Sequence, residues 1–273
     1  MNVKSMMECT FQEAMTAWNE GFQDYTVHLT MNIEALVRMM STKHLSPEYS
    51  FLAFDGEDPV GIILNSIQSD NKLKTAYNGG TAVHPDYRRV GTGQKLVEAS
   101  LEKYEQEGVQ SATLEAISTN EAAIKLYERN GYIIQDHLDT IELNRDSFKQ
   151  EHDISMKLIT LKEWEKMSFP SNLMPWQNRI SLIDHREIYQ FYLGRQSVGY
   201  ALLSQSKNQL TLFHLQARAE EKGIYERMLR ALNQHFKQCK VVAFNTPQSY
   251  EVNEVFHKHA SQKLIEQVWM ERS

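Results

Sequence analysis

The chain has 273 residues, 41% of them hydrophobic, and a formal net charge of −6. That length suits two domains better than one, and the acidic balance argues against a general nucleic-acid binder, whose footprint is a basic patch. Cys9 and Cys239 stand far apart without metal-type spacing, the ten histidines form no metal constellation, and no apolar run has the length of a membrane span. The expectation is a soluble, cytoplasmic protein with no disulfide framework, no metal and no membrane partner.

In chain order, "TFQE" (Thr10–Glu13) has the form of a capping box and predicts a helix that Gly21 stops. "NIEALVRMM" spaces Ile33, Leu36, Val37 and Met40 for a second helix. "SFLAFDGEDPVGIILNSI" reads as a hairpin about Asp55-Gly56, and "KTAYNGGTAV" as a further strand with a bulge at Gly79-Gly80. A helix from Gln94 to Glu107 follows, then the strand "SATLEAI" and a short helix from near Asn120 that Asn130-Gly131 ends. "YIIQDHLDTIEL" is apolar and β-branched enough for one or two strands.

The polar stretch "NRDSFKQEHD" (144–153) reads as a linker, dividing the chain into domains 1–146 and 147–273. Beyond it the pattern repeats faintly. "TLKE" (Thr160–Glu163) is another capping box, Val198-Gly199 echoes Val60-Gly61, Gly223 stands opposite Gly91, and Phe256 stands opposite Tyr127. A single internal duplication accounts for this order, against two unrelated domains that share common elements.

"RRVGTG", Arg88 to Gly93, lies between a predicted strand and a predicted helix. A helix N-terminus leaves four N–H groups unpaired and carries about half a positive charge. A loop leading into it can aim those donors at a phosphate if no Cβ intervenes, and Gly91 and Gly93 remove that obstacle. Arg88 and Arg89 add cationic forks. Alone, the pattern would arise by chance in about one chain in four of this length.

The context decides. "TAVHPDYRRVGTGQKLVEASL" followed by "TLEAISTNEAAIKLYERNGY" resembles the GCN5-related N-acetyltransferase (GNAT) superfamily, from about Val60 to Leu143. The resemblance implies an α/β (α+β) fold of two acyl-CoA N-acyltransferase-like domains, each a mixed, mostly antiparallel sheet flanked by helices. It implies acetyl-CoA as co-substrate and a small-molecule amine or peptide amine as acceptor. By the same resemblance, the pantetheine runs along Thr81, Ala82 and Val83, and the pyrophosphate sits on Arg88, Arg89, Val90, Gly91, Thr92 and Gly93. Asn120 would contact the pantetheine and Tyr127 would protonate the leaving thiolate, the alternative being a tyrosine that only packs on the cofactor. Glu115 matches the base of the ribosomal-protein alanine acetyltransferase branch, against an outward-facing strand glutamate with a water chain in its place. Asp24, in "FQDYTVHL", pairs with a cationic amine or is simply a solvated loop residue.

The second copy departs from this pattern. Glu220 replaces Arg88, Glu221 follows it, Tyr225 replaces Gly93, and Phe256 replaces Tyr127. The C-terminal domain is therefore expected not to bind acetyl-CoA in the usual way. Its expected roles are to complete the acceptor pocket, stabilise the first domain or mediate oligomerisation, a homodimer included. A non-catalytic acyl-CoA sensor is the rival reading of the whole chain.

Overall fold

The chain opens with a short strand, β1 (Asn2–Ser5), and Thr10 then caps α1 (Phe11–Gly21). The structure is a computed structural model describing residues 1–25, 29–70, 73–149, 153–166, 174–179, 186–218 and 221–273. The capping box is complete: the Glu13 N–H donates to the Thr10 hydroxyl at 3.2 Å, and the Thr10 N–H donates to the Glu13 carboxylate at 2.6 Å. Helix α2 (Ile33–Thr42) buries Leu36 and Met40, but Ile33 and Val37 are 42% and 46% exposed, so its buried stripe is narrower than the sequence suggests.

β2 (Phe51–Asp55) and β3 (Asp58–Asp70) form the expected hairpin, with Gly56 in the left-handed region at the turn. Next come β4 (Leu73–Val83), α3 (Thr92–Gln106), β5 (Ser111–Ile117), α4 (Glu121–Arg129) and β6 (Ile133–Leu143), the last a single strand. A buried polar contact anchors α3 on the sheet: the Tyr104 hydroxyl donates to Asn65 Oδ1 at 2.7 Å, and Asn65 Nδ2 donates to Ser100 Oγ at 2.8 Å. Both partners are satisfied, so the burial of these groups costs little.

The second half repeats the order with β7 (Ile154–Ile159), α5 (Leu161–Glu165), β8 (Glu187–Leu193), β9 (Gln196–Gln205) and β10 (Gln209–Ala217). It closes with α6 (Ile224–His235), β11 (Lys240–Pro247), α7 (Glu251–Lys258) and β12 (Ala260–Arg272).

Contacts divide the chain into two units, Met1–Gln135 with Trp269–Ser273, and Asp136–Val268. In the first, the strands run β1-β2-β3-β4-β5, antiparallel except for the parallel β4–β5 pair. The end of β12 lies beyond β5, where Trp269 Nε1 donates to Thr113 Oγ1 at 2.7 Å. In the second, the order is β12-β6-β11-β10-β9-β8-β7, and from β6 to β7 the pairs are antiparallel except for the parallel β10–β11 pair. Both sheets are thus mixed and mostly antiparallel, as the resemblance implies.

The division falls within β6 rather than in the polar stretch after it. That stretch is no free linker: Phe148 is 4% exposed in the second core, and the Arg145 guanidinium donates to Asn233 Oδ1 and the Cys239 carbonyl. A buried phenyl ring commits the segment to the unit it packs in. Residues 150–152 lie outside the described ones.

Candidate active site

β4 pairs with β3 as far as Gly61↔Val83, yet its pairing with β5 ends at Asn78↔Leu114. A bulge marks the change, since Leu64 faces Gly80 while Asn65 faces Asn78. Past this point the β5-facing edge of β4 has no strand partner among the described residues, and Thr81, Ala82 and Val83 lie along it. A free edge of N–H and C=O groups is a template for an extended ligand.

At the end of that edge the chain makes a one-turn helix, Pro85–Tyr87, and reaches the glycine loop. Arg89 adopts φ +62°, Val90 is 64% exposed, and Gly91 caps α3 in the left-handed region at φ +92°. No side chain caps α3, and its first turn holds no acidic residue. Its leading N–H donors and its dipole are therefore available to an anion. A Cβ at Gly91 would meet nothing within 4 Å, whereas one at Gly93 would press on Leu126 Cδ2 at 3.2 Å. Gly91 thus answers to backbone conformation, and Gly93 also to the packing of α4 on α3. Thr92 is buried, its hydroxyl donating to the Tyr87 carbonyl at 2.7 Å and closing the loop on itself.

The two arginines part company. The Arg88 guanidinium makes a two-point contact with Asp24, both distances 2.7 Å, and holds that carboxyl below the usual carboxylate range. Its remaining bonds run to the carbonyls of Gly21 and Val83, each at 3.0 Å. Asp24 is thus a half-exposed residue whose carboxylate is engaged by Arg88. Arg89 has no such engagement among the described residues.

On α4, Asn120 is the N-cap, accepting from the Ala123 N–H at 3.2 Å, and its Nδ2 lies 3.5 Å from the Tyr25 hydroxyl. Tyr127 is 6% exposed and accepts from Asn78 Nδ2 at 3.3 Å. Burial pushes its phenol above the ordinary value, while hydrogen bonds to Thr81 and Asn78 pull the other way. Asn78 and Thr81 are themselves joined at 3.0 Å. Tyr127 therefore stands at the point where the two strands part.

Glu115 does not face outward. Tyr77, 1% exposed, donates its hydroxyl to Glu115 Oε2 at 2.8 Å, and burial together with this carboxylate pushes its phenol well above the ordinary range. Tyr77 faces Thr113 across the pair, and Glu115, two residues further, shares that face. Lys43, half-buried at the end of α2, has its ammonium pKa lowered by desolvation and partly restored by Glu115. Tyr77, Asn78 and Lys43 escaped the sequence reading. Only the β4–β5 register brings the first two to the site.

The second unit copies the frame without the groups. β10 and β11 separate after Leu212↔Ala243, with a bulge between Leu212 and His214, and Gly223 caps α6 at φ +77°. By register, Phe244 takes the place of Glu115 and Thr211 that of Tyr77. Phe256 is 1% exposed, and the Tyr225 hydroxyl hydrogen-bonds to the backbone of Ala217 at the end of β10. Asn178, 1% exposed, lies in the parting: its Nδ2 donates to the carbonyls of Phe213 and Phe244 at 2.5 and 2.8 Å. Glu221 is paired with Arg227, which also holds Asp153, so its charge is balanced locally. Glu220 lies outside the described residues. Among the described residues, no group of three or more His, Cys, Asp or Glu side chains could hold a metal, and no helix is long and apolar enough to cross a membrane.

Residues 7–132 match the model of the Acetyltransferase (GNAT) family. The chain is 33% identical over 109 residues to N-alpha-acetyltransferase 30 of Schizosaccharomyces pombe, a match covering 39% of this chain and 72% of that one. It is 37% identical over 79 residues to the [Ribosomal protein bS18]-alanine N-acetyltransferase of Escherichia coli, covering 28% of this chain and 53% of that protein. The crystal structure of a GCN5-related N-acetyltransferase from Sphaerobacter thermophilus superposes with TM-score 0.67 at 11% identity, over 99% of this chain and 95% of that one. At that identity the last likeness concerns the fold alone.

Proposed function

The chain belongs to the GNAT acetyltransferase family, and on that premise we propose that its first unit transfers acetyl from acetyl-CoA to a primary amine by direct attack in a ternary complex. The observation that carries this reading is the parting of β4 from β5 with Tyr127 standing at it. The cradle fits the co-substrate. The free edge of Thr81–Val83 suits an extended pantetheine, with Asn120 within its reach. The uncapped start of α3, with Gly91, Thr92, Gly93 and the cation of Arg89, suits a pyrophosphate.

Bound there, acetyl-CoA supplies an activated thioester. The protein's own groups handle the protons. Glu115, held by Tyr77, takes the proton that the amine must lose before its nitrogen can bond to the acyl carbon. As the carbon–sulfur bond breaks, Tyr127 returns a proton to the sulfur. Burial keeps that phenol protonated through the physiological range, which a general acid requires. Orientation of the two reactants contributes the remainder.

The two relatives act, by their names, on an α-amine and on an alanine of ribosomal protein bS18, so peptide N-termini head the acceptor classes, ahead of small-molecule amines. The second unit is proposed to serve as a structural companion that binds no acetyl-CoA, since Tyr225 and Asn178 fill its counterpart of the cleft.

A panel of peptide and small amines, followed by thiol release, tests the proposal. One amine class is expected to turn over, and Glu115→Gln to lower kcat/KM by about 10²–10⁴-fold. Acetyl-CoA binding without turnover of any amine would indicate a sensor, and absence of binding would remove the reading altogether.

A further inference from the structure

We infer that Arg88 is a positioning residue for Tyr25, which stands beside Asn120 and Tyr127, acting through Asp24, and not a phosphate ligand. The inference rests on the proposed amine acetylation and deepens it. A guanidinium offers five N–H donors in one plane. Four of those of Arg88 are engaged, two by Asp24 and one each by the carbonyls of Gly21 and Val83. Little of the fork remains for a pyrophosphate.

Its acceptors lie on the last residue of α1, on the segment just after it, and on the last residue of β4. The Gly21 carbonyl stands at the C-terminal end of α1, where the helix dipole favours a cation. Gly21 itself presses on β4, since a Cβ there would lie 2.6 Å from Ala82 Cβ. Arg88 thus pins the start of the segment Phe22–Tyr25 to the strand that ends at the glycine loop.

The far end of that segment reaches the reacting groups. The Tyr25 hydroxyl lies 3.5 Å from Asn120 Nδ2, and Tyr25 is close enough to Tyr127 to disfavour ionisation of its phenol. The Tyr25 ring meets Phe22 edge-on at 5.1 Å, and Phe22 leans on Trp18 at 4.7 Å. The segment therefore has two anchors, an aromatic one on α1 and an ionic one at Arg88. Asp24 and Arg88 are 50% and 39% exposed, and surface pairs of this kind contribute little to stability. Loss of the pair is expected to displace Tyr25 without unfolding the unit.

The test compares Asp24→Ala, Arg88→Ala and the double variant, with Arg88→Lys, which keeps the charge but not the fork, as a milder substitute. Each single variant is expected to lower kcat about tenfold while melting temperature and calorimetric acetyl-CoA affinity stay near wild type, and the double variant to be no worse than either single one. The inference is overturned if Arg88→Ala weakens acetyl-CoA binding tenfold or more while Asp24→Ala leaves it unchanged or tightens it. That is the behaviour of a phosphate ligand released from a competing carboxylate. The calorimetric arm needs no acceptor, so failure of every amine to react would count against the amine reading and leave this comparison decisive.

Discussion

Tyr127 and Tyr77 are both buried phenols whose pKa values lie above the ordinary range, yet they are placed for different tasks. The Tyr127 hydroxyl meets neutral partners, Asn78 and Thr81, at the parting of the strands, so it has a proton to give. The Tyr77 hydroxyl is committed to a carboxylate, so it orients Glu115. The two substitutions should therefore separate in the size of their effects. Tyr127→Phe is expected to lower kcat about 10²-fold or more at every pH, because a phenol raised by burial stays protonated throughout the working range. Tyr77→Phe removes the donor that fixes the carboxylate in place and is expected to lower kcat/KM about tenfold. Stopped thiol-release assays from pH 5 to 9 check both. Equal losses from the two substitutions would mean that the two hydroxyls do not have separate roles. The sequence points to Tyr127 and Glu115 because each lies in a contiguous motif. Tyr77 stands 38 residues from Glu115, and only the pairing of β4 with β5 joins them.

Elements were more legible than contacts. Local chemistry marks where helices start and turns form, and Thr10 and Thr160 stand at the helix starts expected from them, while α3 begins at Thr92, two residues ahead of the expected Gln94. What local chemistry leaves open is the reason for a residue. Gly91 and Gly93 look equivalent in "RRVGTG", but Gly91 carries φ +92° with open space before it, and Gly93 touches Leu126 on α4. Gly91→Ala should cost about 1–2 kcal/mol from the left-handed backbone and weaken acetyl-CoA binding directly. Gly93→Ala should shift Leu126 and, through it, the adjacent Tyr127, lowering kcat more than its effect on stability would suggest. Leu126→Val supplies room beside the new methyl group and is expected to restore part of that kcat. Denaturant unfolding and steady-state kinetics on the same preparations separate the two cases, and no recovery in the Gly93→Ala/Leu126→Val pair would place the fault elsewhere.

For the whole molecule, the question is what supports the proposal that the second unit is not a second site. Its frame is intact: the strands part, the bulge is present, and Gly223 holds the same left-handed cap. From the sequence, Tyr225 and two glutamates supply the answer. The structure shifts the weight, because Arg227 balances Glu221 and the parting itself is filled by Asn178. That plug could not be read from sequence, since Asn178 lies 35 and 66 residues from the two carbonyls it bridges. If Tyr225 alone closed the cleft, Tyr225→Gly would open it. With Asn178 bonded across both strands, that variant should still bind one acetyl-CoA per chain, as should the unaltered protein. Asn178→Ala leaves the two buried carbonyls short of a donor and is expected to destabilise the second unit by about 2–3 kcal/mol. Isothermal titration of each variant gives the stoichiometry. A value of two in Tyr225→Gly would show that the cradle had only been covered, and a value of one would show that removing this ring alone does not open a site, as expected with Asn178 still across the parting.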